Sequence, residues 1–351
     1  MNLDILAANV SYNPAYEVLT HMASPKSGIL DNLDEEYYQI TPEILSSFPK
    51  FRPPLNIYIL KEDVAQILIF KKTGERVGKD EQEKLAELCA EGNIFLARSD
   101  HHIYSKHISK QLDLVLQDEH LKEAEIAEIF RHALTDRINE FLEQPVQAVF
   151  DKLYGDLMVL TEYLWGDLNR IKAFTRRLHK EHTLAHHSFS SGSLGLWLFG
   201  KVYPGGFNRR VYDKVTVALF LHDMGMSKIP AFIREKTKSL TQDERNKVNM
   251  HPLVGSKMAL KLGLKYDEMQ QCIMEHHERL DGSGYPNKKS DISPLGRICA
   301  IADSYCAMIS KRPYAEAMEP KDAVAQLKAQ SGKYDQKIVT FLHSAITIGK
   351  W

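Results

Sequence analysis

The sequence predicts a mostly α protein, in which a small N-terminal α/β domain precedes an all-helical bundle. Apolar residues recur with a helical period from Leu112 onwards, whereas runs rich in Ile and Leu that suit strands cluster between residues 41 and 118. A length of 351 residues fits two domains. We therefore expect an accessory or regulatory α/β domain at 1–118, a helical connector at 119–150 and a helical domain at 151–351.

The composition limits the kinds of partner that the protein is expected to bind. Hydrophobic residues make up 44% of the chain and the formal net charge is -1, so no strongly basic surface is predicted for DNA, RNA or an acidic membrane. No basic and apolar leader opens the sequence, and no apolar run approaches the ~20 residues of a membrane helix. The four cysteines have no paired spacing, which indicates free thiols and a cytoplasmic location.

The first 118 residues carry a hairpin pattern. Residues 1–40 are weakly patterned and predict a partly ordered arm or a short cap. Residues 55–60 and 65–70 flank a charged turn and predict two paired strands. A helix is expected over 79–91, ending at Gly92, and a further strand over 93–97. His101, His102 and His107 are expected in a surface loop.

The rest of the chain predicts helices. Residues 118–143 form an amphipathic stretch that a Gln144–Pro145 break separates from a helix over 146–164. This connector can pack within the chain or contribute to a homodimer. Further helices are predicted at 156–178, 180–200, 209–224, 241–250, 253–262, 266–277, 295–310, 320–330 and from 335.

At four sites in the helical half, histidine or aspartate lies within or at the end of a predicted helix. They are His222–Asp223, His251, His276–His277 and Asp303. Each has a purely structural alternative: a hydrogen-bonded His–Asp pair, a helix boundary before proline, or histidines near a helix C-terminus. Asp303 interrupts a strongly apolar helix, and a buried carboxylate without a cation is costly.

Taken together, these side chains suggest one metal site. Nitrogen and oxygen donors without thiolate disfavour structural zinc and suit iron, manganese or catalytic zinc. The ligands are too many for one ion. Two ions bridged by one carboxylate would use them, clamp a phosphate and lower the pKa of a water for attack on phosphorus.

The order of motifs resembles the HD-GYP family, a branch of the HD phosphohydrolases. The likeness covers about residues 175–345 and rests on HD at 222–223, HHExxDGxGYP at 276–286, AD at 302–303 and RPY at 312–314. Residues 224–230 also resemble the family segment after HD. Family members are typically phosphodiesterases of bacterial cyclic dinucleotides, chiefly cyclic di-GMP, so the resemblance implies bacterial signalling and this substrate.

The resemblance also implies residue roles. It assigns ligation of two divalent ions, iron or alternatively manganese, to His187, His222, Asp223, His251, His276, His277 and Asp303. Asp223 would bridge the ions, and Asp223 with His222 would be catalytic. His182 and His186 compete with His187 for the first ligand. Substrate contacts are implied for Arg312, Asp281, Gly284, Tyr285, Pro286 and Lys228.

Several positions depart from the family pattern. Met226 stands in place of a lysine, Ser190 in place of an arginine, Ala315 in place of a lysine and Cys306 in place of a carboxylate. The basic lining around the phosphates is therefore thinner. Three hypotheses remain: a cyclic di-GMP phosphodiesterase, a weakly active or inactive nucleotide-binding scaffold, or a phosphohydrolase for another nucleotide.

Overall fold

The computed structural model of the protein describes residues 33–61, 66–108, 111–117, 120–312 and 315–349. A small antiparallel sheet with short helices comes first, and helices make up the remainder, so the predicted fold class is confirmed. No helix among these residues is both long and apolar enough to cross a bilayer.

The sheet has four strands, in the order β1-β4-β2-β3. They are β1 (Tyr37–Gln39), β2 (Ile57–Lys61), β3 (Gln66–Lys71) and β4 (Ile94–Ala97). The predicted hairpin is confirmed, since β2 pairs antiparallel with β3; its turn at 62–65 lies outside the described residues. Helices α1 (Leu33–Glu36), α2 (Pro42–Ser47) and α3 (Lys79–Ala90) complete this part, and Gly92 follows α3 with a φ of 79°.

Two sequence predictions for this part were wrong. Most of the expected arm or cap, residues 1–32, lies outside the described residues, but its end forms β1, with Tyr37 opposite Ala97 and Gln39 opposite Phe95. The expected histidine loop is helix α4 (His101–Ile108), in which Tyr104 is fully buried and His107 Nε2 lies 2.9 Å from the Ser47 carbonyl oxygen. Both elements are too short to show a period of their own and are stabilised by contacts with distant segments.

The helical part begins with two long helices, α5 (Glu123–Glu143) and α6 (Gln147–Gly166). The helix predicted over 156–178 does not exist as one unit. It breaks at Asp167, whose carboxylate caps a 3₁₀ turn (Leu168–Arg170) before the short helix α7 (Ile171–Thr175). A side chain that accepts a free backbone N–H of the following turn is an N-cap, so it marks the start of a separate helix.

The other predicted helices are present within a few residues of their expected bounds. They are α8 (Leu184–Val202), α9 (Arg209–Leu221), α11 (Gln242–Asn249), α12 (His251–Lys261), α13 (Asp267–Glu275), α14 (Pro294–Ile309), α15 (Pro320–Ala329) and α16 (Gln336–Ile348). A 3₁₀ turn (Met224–Lys228) and the one-turn helix α10 (Ala231–Arg234) lie between α9 and α11.

Helix α8 is the centre of the bundle. It is buried on nearly every side and packs against α5, α9 and α14. Gly192 and Gly195 let α9 approach closely. A Cβ at Gly192 would lie 2.6 Å from the Phe220 ring, and a Cβ at Gly195 would lie 2.8 Å from the Leu219 side chain. This close contact sets the distance between His187 on α8 and the end of α9, where the His–Asp pair lies.

A buried histidine fixes the segment that leads into α8. His179 Nδ1 accepts a hydrogen bond from Arg131 at 3.2 Å, and its Nε2 lies 3.1 Å from Thr135 Oγ1. Its ring stacks on His186 at 3.9 Å, and its backbone N–H donates to Ser190 Oγ. Burial, together with the positive charge of Arg131 and the neighbouring His186, lowers the pKa of His179 to about 3.

This histidine is expected to make stability depend on pH. The pKa of His179 is lower in the folded protein than in the unfolded chain, where it is about 6.5. Its contribution is therefore complete above about pH 6.5 and is lost as the pH falls below that value, because the unfolded state then binds the proton. We expect the free energy of unfolding, measured with urea, to fall by about 1–2 kcal/mol between pH 7 and pH 5 from this group.

His179→Gln should make that pH profile shallower, whereas His102→Gln, at an exposed position on α4, should leave it unchanged. A His179→Gln profile parallel to that of the wild type would contradict the assignment.

Candidate metal centre

The predicted ligands come from the ends and the middle of five helices. His222 and Asp223 follow α9, His251 opens α12 and His276 ends α13. His187 lies in the first turns of α8, and Asp303 lies within α14. Helix ends place a side chain at a fixed point while the helix body packs in the core, which suits a rigid site.

The structure brings these side chains together in two groups. Asp223, His251, His276 and His277 form one, and His187, His222 and Asp223 form the other; in each group the ligand atoms lie within 4.8 Å of one another. Asp223 belongs to both. Its Oδ1 is 3.0 Å from His251 Nε2, and its Oδ2 is 3.8 Å from His187 Nε2.

Asp303 joins the two groups from the opposite side. Its Oδ1 lies 2.9 Å from His187 Nε2 and its Oδ2 lies 3.7 Å from His277 Nδ1. All seven residues that the sequence singled out as metal ligands are thus neighbours in one buried cluster. Their role as ligands is taken up below as a proposal.

Backbone contacts set the tautomers of three histidines. Nδ1 lies 2.8 Å from the Leu219 carbonyl oxygen in His222, 2.7 Å from that of Val248 in His251, and 2.8 Å from that of Ile273 in His276. A carbonyl can only accept, so each Nδ1 carries the proton and each neutral ring turns an Nε2 lone pair to the cluster.

These lone pairs fit a metal. His222 Nε2 is buried and has no hydrogen-bond partner among the described residues, and the Nε2 atoms of His251 and His276 face each other at 3.0 Å. In two neutral rings with protonated Nδ1 atoms both of these nitrogens are acceptors and repel each other. A metal cation relieves the repulsion, and so does a proton on His251, whose pKa Asp223 raises against the effect of burial. The cluster of neutral imidazoles and carboxylates is therefore suited to divalent cations.

The carboxylates of the cluster are held ionised. Burial alone would raise the pKa of Asp223, but its interactions with His251 and His276 outweigh burial and keep the pKa well below its usual value. Burial would likewise raise the pKa of Asp303, but its interactions with His277 and His187 outweigh burial and lower that pKa. Burial opposes a charge on His251, but Asp223 prevails and raises the pKa of that ring. Both carboxylates can thus ligate without first losing a proton.

The three candidates for the first ligand lie in different places. His187 is in the cluster, within hydrogen-bond distance of Asp303. His186 stacks on His179, and its Nδ1 lies 2.9 Å from the Glu181 carbonyl oxygen, so that nitrogen is already engaged. The His182 ring lies 5.6 Å from that of His187, and in the described part of the chain its buried Nδ1 has no hydrogen-bond partner. This geometry favours His187 and places His182 beside it.

The loop after His277 folds back over the cluster. The Tyr285 ring stacks on His277 at 4.6 Å, and its backbone N–H donates to the His277 carbonyl oxygen. A Cβ at Gly284 would lie 2.5 Å from the backbone of His277, Glu278 and Arg279, so only glycine fits there. The peptide bond between Tyr285 and Pro286 is cis.

Two buried glutamates hold this loop, and sequence reasoning missed both. Glu278 is fully buried and accepts the backbone N–H groups of Asn287 at 2.6 Å and Lys289 at 2.9 Å. Glu275 accepts the Ser293 N–H and pairs with Lys289 Nζ at 2.6 Å. Their position on either side of the His–His pair was the available signal, since a carboxylate next to glycine-rich backbone can bind free amides.

Glu278→Ala is expected to destabilise the protein by about 2–4 kcal/mol, because it removes a buried carboxylate that accepts two backbone N–H groups in partly buried, charge-assisted hydrogen bonds. Thermal or urea unfolding of the purified variant measures this. Glu268→Ala on the exposed side of α13 is the matched control and should change stability by less than about 0.5 kcal/mol. A Glu278→Ala variant as stable as that control would contradict the role of the carboxylate.

Most of the residues predicted to contact substrate are less buried than the candidate metal ligands. Arg312 lies near enough to His182 to help lower the pKa of that ring, after burial. Lys228 and Asp281 are exposed, and the Asp281 carboxylate accepts the Ser283 N–H at 2.9 Å. Pro313 and Tyr314 lie outside the described residues.

Two of the departures from the family pattern have a structural use. Ser190 accepts the His179 N–H at 2.9 Å, so the position is occupied by a contact inside the fold. Cys306 is fully buried, and its side chain packs in the hydrophobic core. Neither side chain supplies positive charge to the cluster.

Comparisons with known proteins show which family and which relatives the chain resembles. Residues 206–338 match the family model of the HD domain. The cyclic di-GMP phosphodiesterase response regulator RpfG of Xanthomonas campestris pv. campestris is 39% identical over 132 residues, which are 36% of this chain and 35% of that protein. A cyclic di-GMP phosphodiesterase of Thermotoga maritima is 32% identical over 148 residues, 41% of this chain and 40% of its own. The match thus spans well under half of either relative.

The fold is also found in a solved structure. Bd1817, a HDG"Y"P protein from Bdellovibrio bacteriovorus, superposes with a TM-score of 0.58 at 16% identity, covering 88% of this chain and 99% of its own. At that identity the likeness concerns the fold, which extends beyond the HD domain into the N-terminal part.

Proposed function

Because the chain belongs to the HD-GYP family of HD-domain proteins, we propose that it is a metal-dependent phosphodiesterase that hydrolyses cyclic di-GMP. The two curated relatives carry this activity in their names. The HD-domain match over residues 206–338 contains six of the seven residues of the cluster.

One observation carries the proposal: the Asp223 carboxylate belongs to both groups of candidate ligands. A carboxylate has two oxygens, so it can face two cations at once. The remaining members divide between the two sides, with His251, His276 and His277 on one and His187 and His222 on the other. This arrangement supports two divalent ions with Asp223 as the bridge and Asp303 as a further ligand.

The donor set favours iron, and manganese as the alternative. Its atoms are imidazole nitrogens and carboxylate oxygens without thiolate, which suits these metals at a hydrolytic site. When bound, two such ions would supply positive charge to the phosphate and lower the pKa of a water molecule.

The chain's own residues hold and orient the reactants. The carbonyls behind His222, His251 and His276 keep those rings in one tautomer and one orientation. Arg312 is proposed to contact a substrate phosphate, since a guanidinium suits phosphate oxygens. Gly284, Tyr285 and Pro286 form the pocket wall beside His277, and Asp281 and Lys228 are proposed at its rim.

The thin basic lining is expected to weaken substrate binding. Each missing charge-assisted contact at the positions of Met226, Ser190 and Ala315 costs about 1.5–3 kcal/mol where water is excluded. Slow turnover, or binding without turnover, would follow from this loss while the metal cluster stayed complete.

Two measurements on protein purified without oxygen test the proposal. Elemental analysis should find two iron or manganese ions per chain, and the reduced, loaded protein should convert cyclic di-GMP into the linear dinucleotide. Two bound metals with no cleavage would contradict the enzyme assignment and support a nucleotide-binding scaffold. Cleavage of a different cyclic dinucleotide alone would contradict the substrate assignment.

The domain division also remains a proposal. Helix α5 packs against α7 and α8 and thereby joins the connector to the helical domain. The α/β part at 1–118 is proposed as an accessory or regulatory domain, and limited proteolysis near residues 118 and 150 would test these boundaries.

A further inference from the structure

Two neighbouring cavities lie beside helix α7, and neither shares a lining residue with the metal centre. The larger, of about 790 Å³, opens between the start of α5 and the C-terminal end of α7. The smaller, of about 150 Å³, lies between α7, α8 and the loop before α9. Asn169 and Lys172 line both, so the two cavities adjoin at these side chains.

The larger cavity is strongly cationic. Lys122, Lys172, Arg176 and Arg177 line it, against the single carboxylate of Glu123. Arg177 already lies 3.9 Å from Glu128 Oε2. The other three cations have no carboxylate within 4.0 Å among the residues that the structure describes.

Helix structure accounts for only part of this charge, because the dipole of α7 favours cations at its C-terminal end, where Lys172 and Arg176 lie. Lys122 is the N-cap of α5, where the helix dipole disfavours a cation and where Ser, Thr, Asp or Asn is the usual residue. Lys172 and Arg176 are four residues apart along α7 and its cap, a spacing at which like charges repel. An anion in the cavity would relieve both unfavourable interactions.

The smaller cavity has the opposite chemistry. Phe207 lines it with a partly exposed ring that stacks on Tyr212 at 5.5 Å and 15°, and Trp197 and Tyr212 lie behind it at 2% exposure each. A flat aromatic group could pack against such a wall. At the junction, Asn169 supplies an amide and Lys172 a charge.

We propose that the two cavities form one binding site for a nucleoside polyphosphate, separate from the metal centre and independent of the proposed phosphodiesterase activity. The phosphates lie among Lys122, Lys172 and Arg176, and the base enters the aromatic cavity beside Asn169. The larger volume falls within the ~300–1,000 Å³ of small-ligand sites.

Titration calorimetry on the full chain tests this site with four probes: ADP, GDP, inorganic pyrophosphate and adenosine. A nucleoside diphosphate should bind more tightly than pyrophosphate or adenosine, and its affinity should fall as salt rises. K172E/R176E should weaken this binding about tenfold or more, and K172Q/R176Q by a smaller factor.

The matched control is K321E/K328E, which reverses two exposed lysines on α15. It should retain the wild-type affinity. Because both charge-reversed variants change the net charge equally and leave the metal centre intact, a difference between them reports on the proposed site alone. Equal affinity in all variants, or equal loss in both charge-reversed proteins, would overturn the site. Pyrophosphate binding as tight as ADP binding would overturn the nucleotide assignment.

Discussion

Replacing Asp223 with Ala is expected to remove bound metal and phosphodiesterase activity together. Its Oδ1 lies 3.0 Å from His251 Nε2 and 3.6 Å from His276 Nε2, and its Oδ2 faces His187. No other side chain of the cluster belongs to both groups of candidate ligands. Loss of the shared carboxylate should reduce kcat/KM at least about a thousandfold, or roughly 4 kcal/mol of transition-state stabilisation.

Elemental analysis and a cyclic di-GMP hydrolysis assay measure the two effects. Asp213→Ala is the matched control, because Asp213 lies on the helix that leads into Asp223 and pairs with Arg209 at 2.7 Å near the surface. Such a pair contributes about 0–1 kcal/mol, so this variant should keep metal and activity. An Asp223→Ala protein that folds and retains both metals would show that the bridge is assigned to the wrong residue.

Replacing Gly225 with Ala is expected to separate His251 from the cluster and to destabilise the fold. A Cβ at Gly225 would overlap the His251 carbonyl oxygen and lie 2.7 Å from the Gly255 nitrogen, both in the backbone of α12. Backbone cannot rotate away as a flexible side chain can, so α12 or the turn after Asp223 must move. We expect a loss of about 3 kcal/mol or more and a lower metal content.

Urea unfolding and elemental analysis of this variant provide the readouts. Gly155→Ala, at an open and exposed position within α6, is the control and should stabilise the protein by about 0.5–1 kcal/mol. Stability within about 0.5 kcal/mol of the wild type for Gly225→Ala would mean that the close approach of the two segments is not needed.

Local patterns were sufficient for most of the secondary structure. The apolar periods of α5, α9, α13 and α14 and the turn residues around the hairpin are short-range signals, so they can be read without knowing the neighbours. The break at Asp167 was missed because apolar residues continue on both sides of it, in α6 and α7. Strand β1 was missed because its partner, β4, lies far along the chain.

In the candidate site, too, local sequence signals identify residue types but not which side chains meet. His187 and His186 are neighbours on one helix, and sequence spacing alone cannot say which of them faces inward. Adjacent positions on an α-helix differ by about 100°, and the packing of α8 turns His187 to Asp303 and His186 to His179.

The sequence by itself thus predicted the helical character of the chain, the family resemblance and six candidate ligands, with His187 as one of three rivals for the seventh. Only the tertiary structure decided that these ligands meet in two groups around Asp223, and that Glu275 and Glu278 hold the loop beside them. The physical reason is that a residue's type and period are local properties. The distance between side chains on different helices depends on how those helices pack.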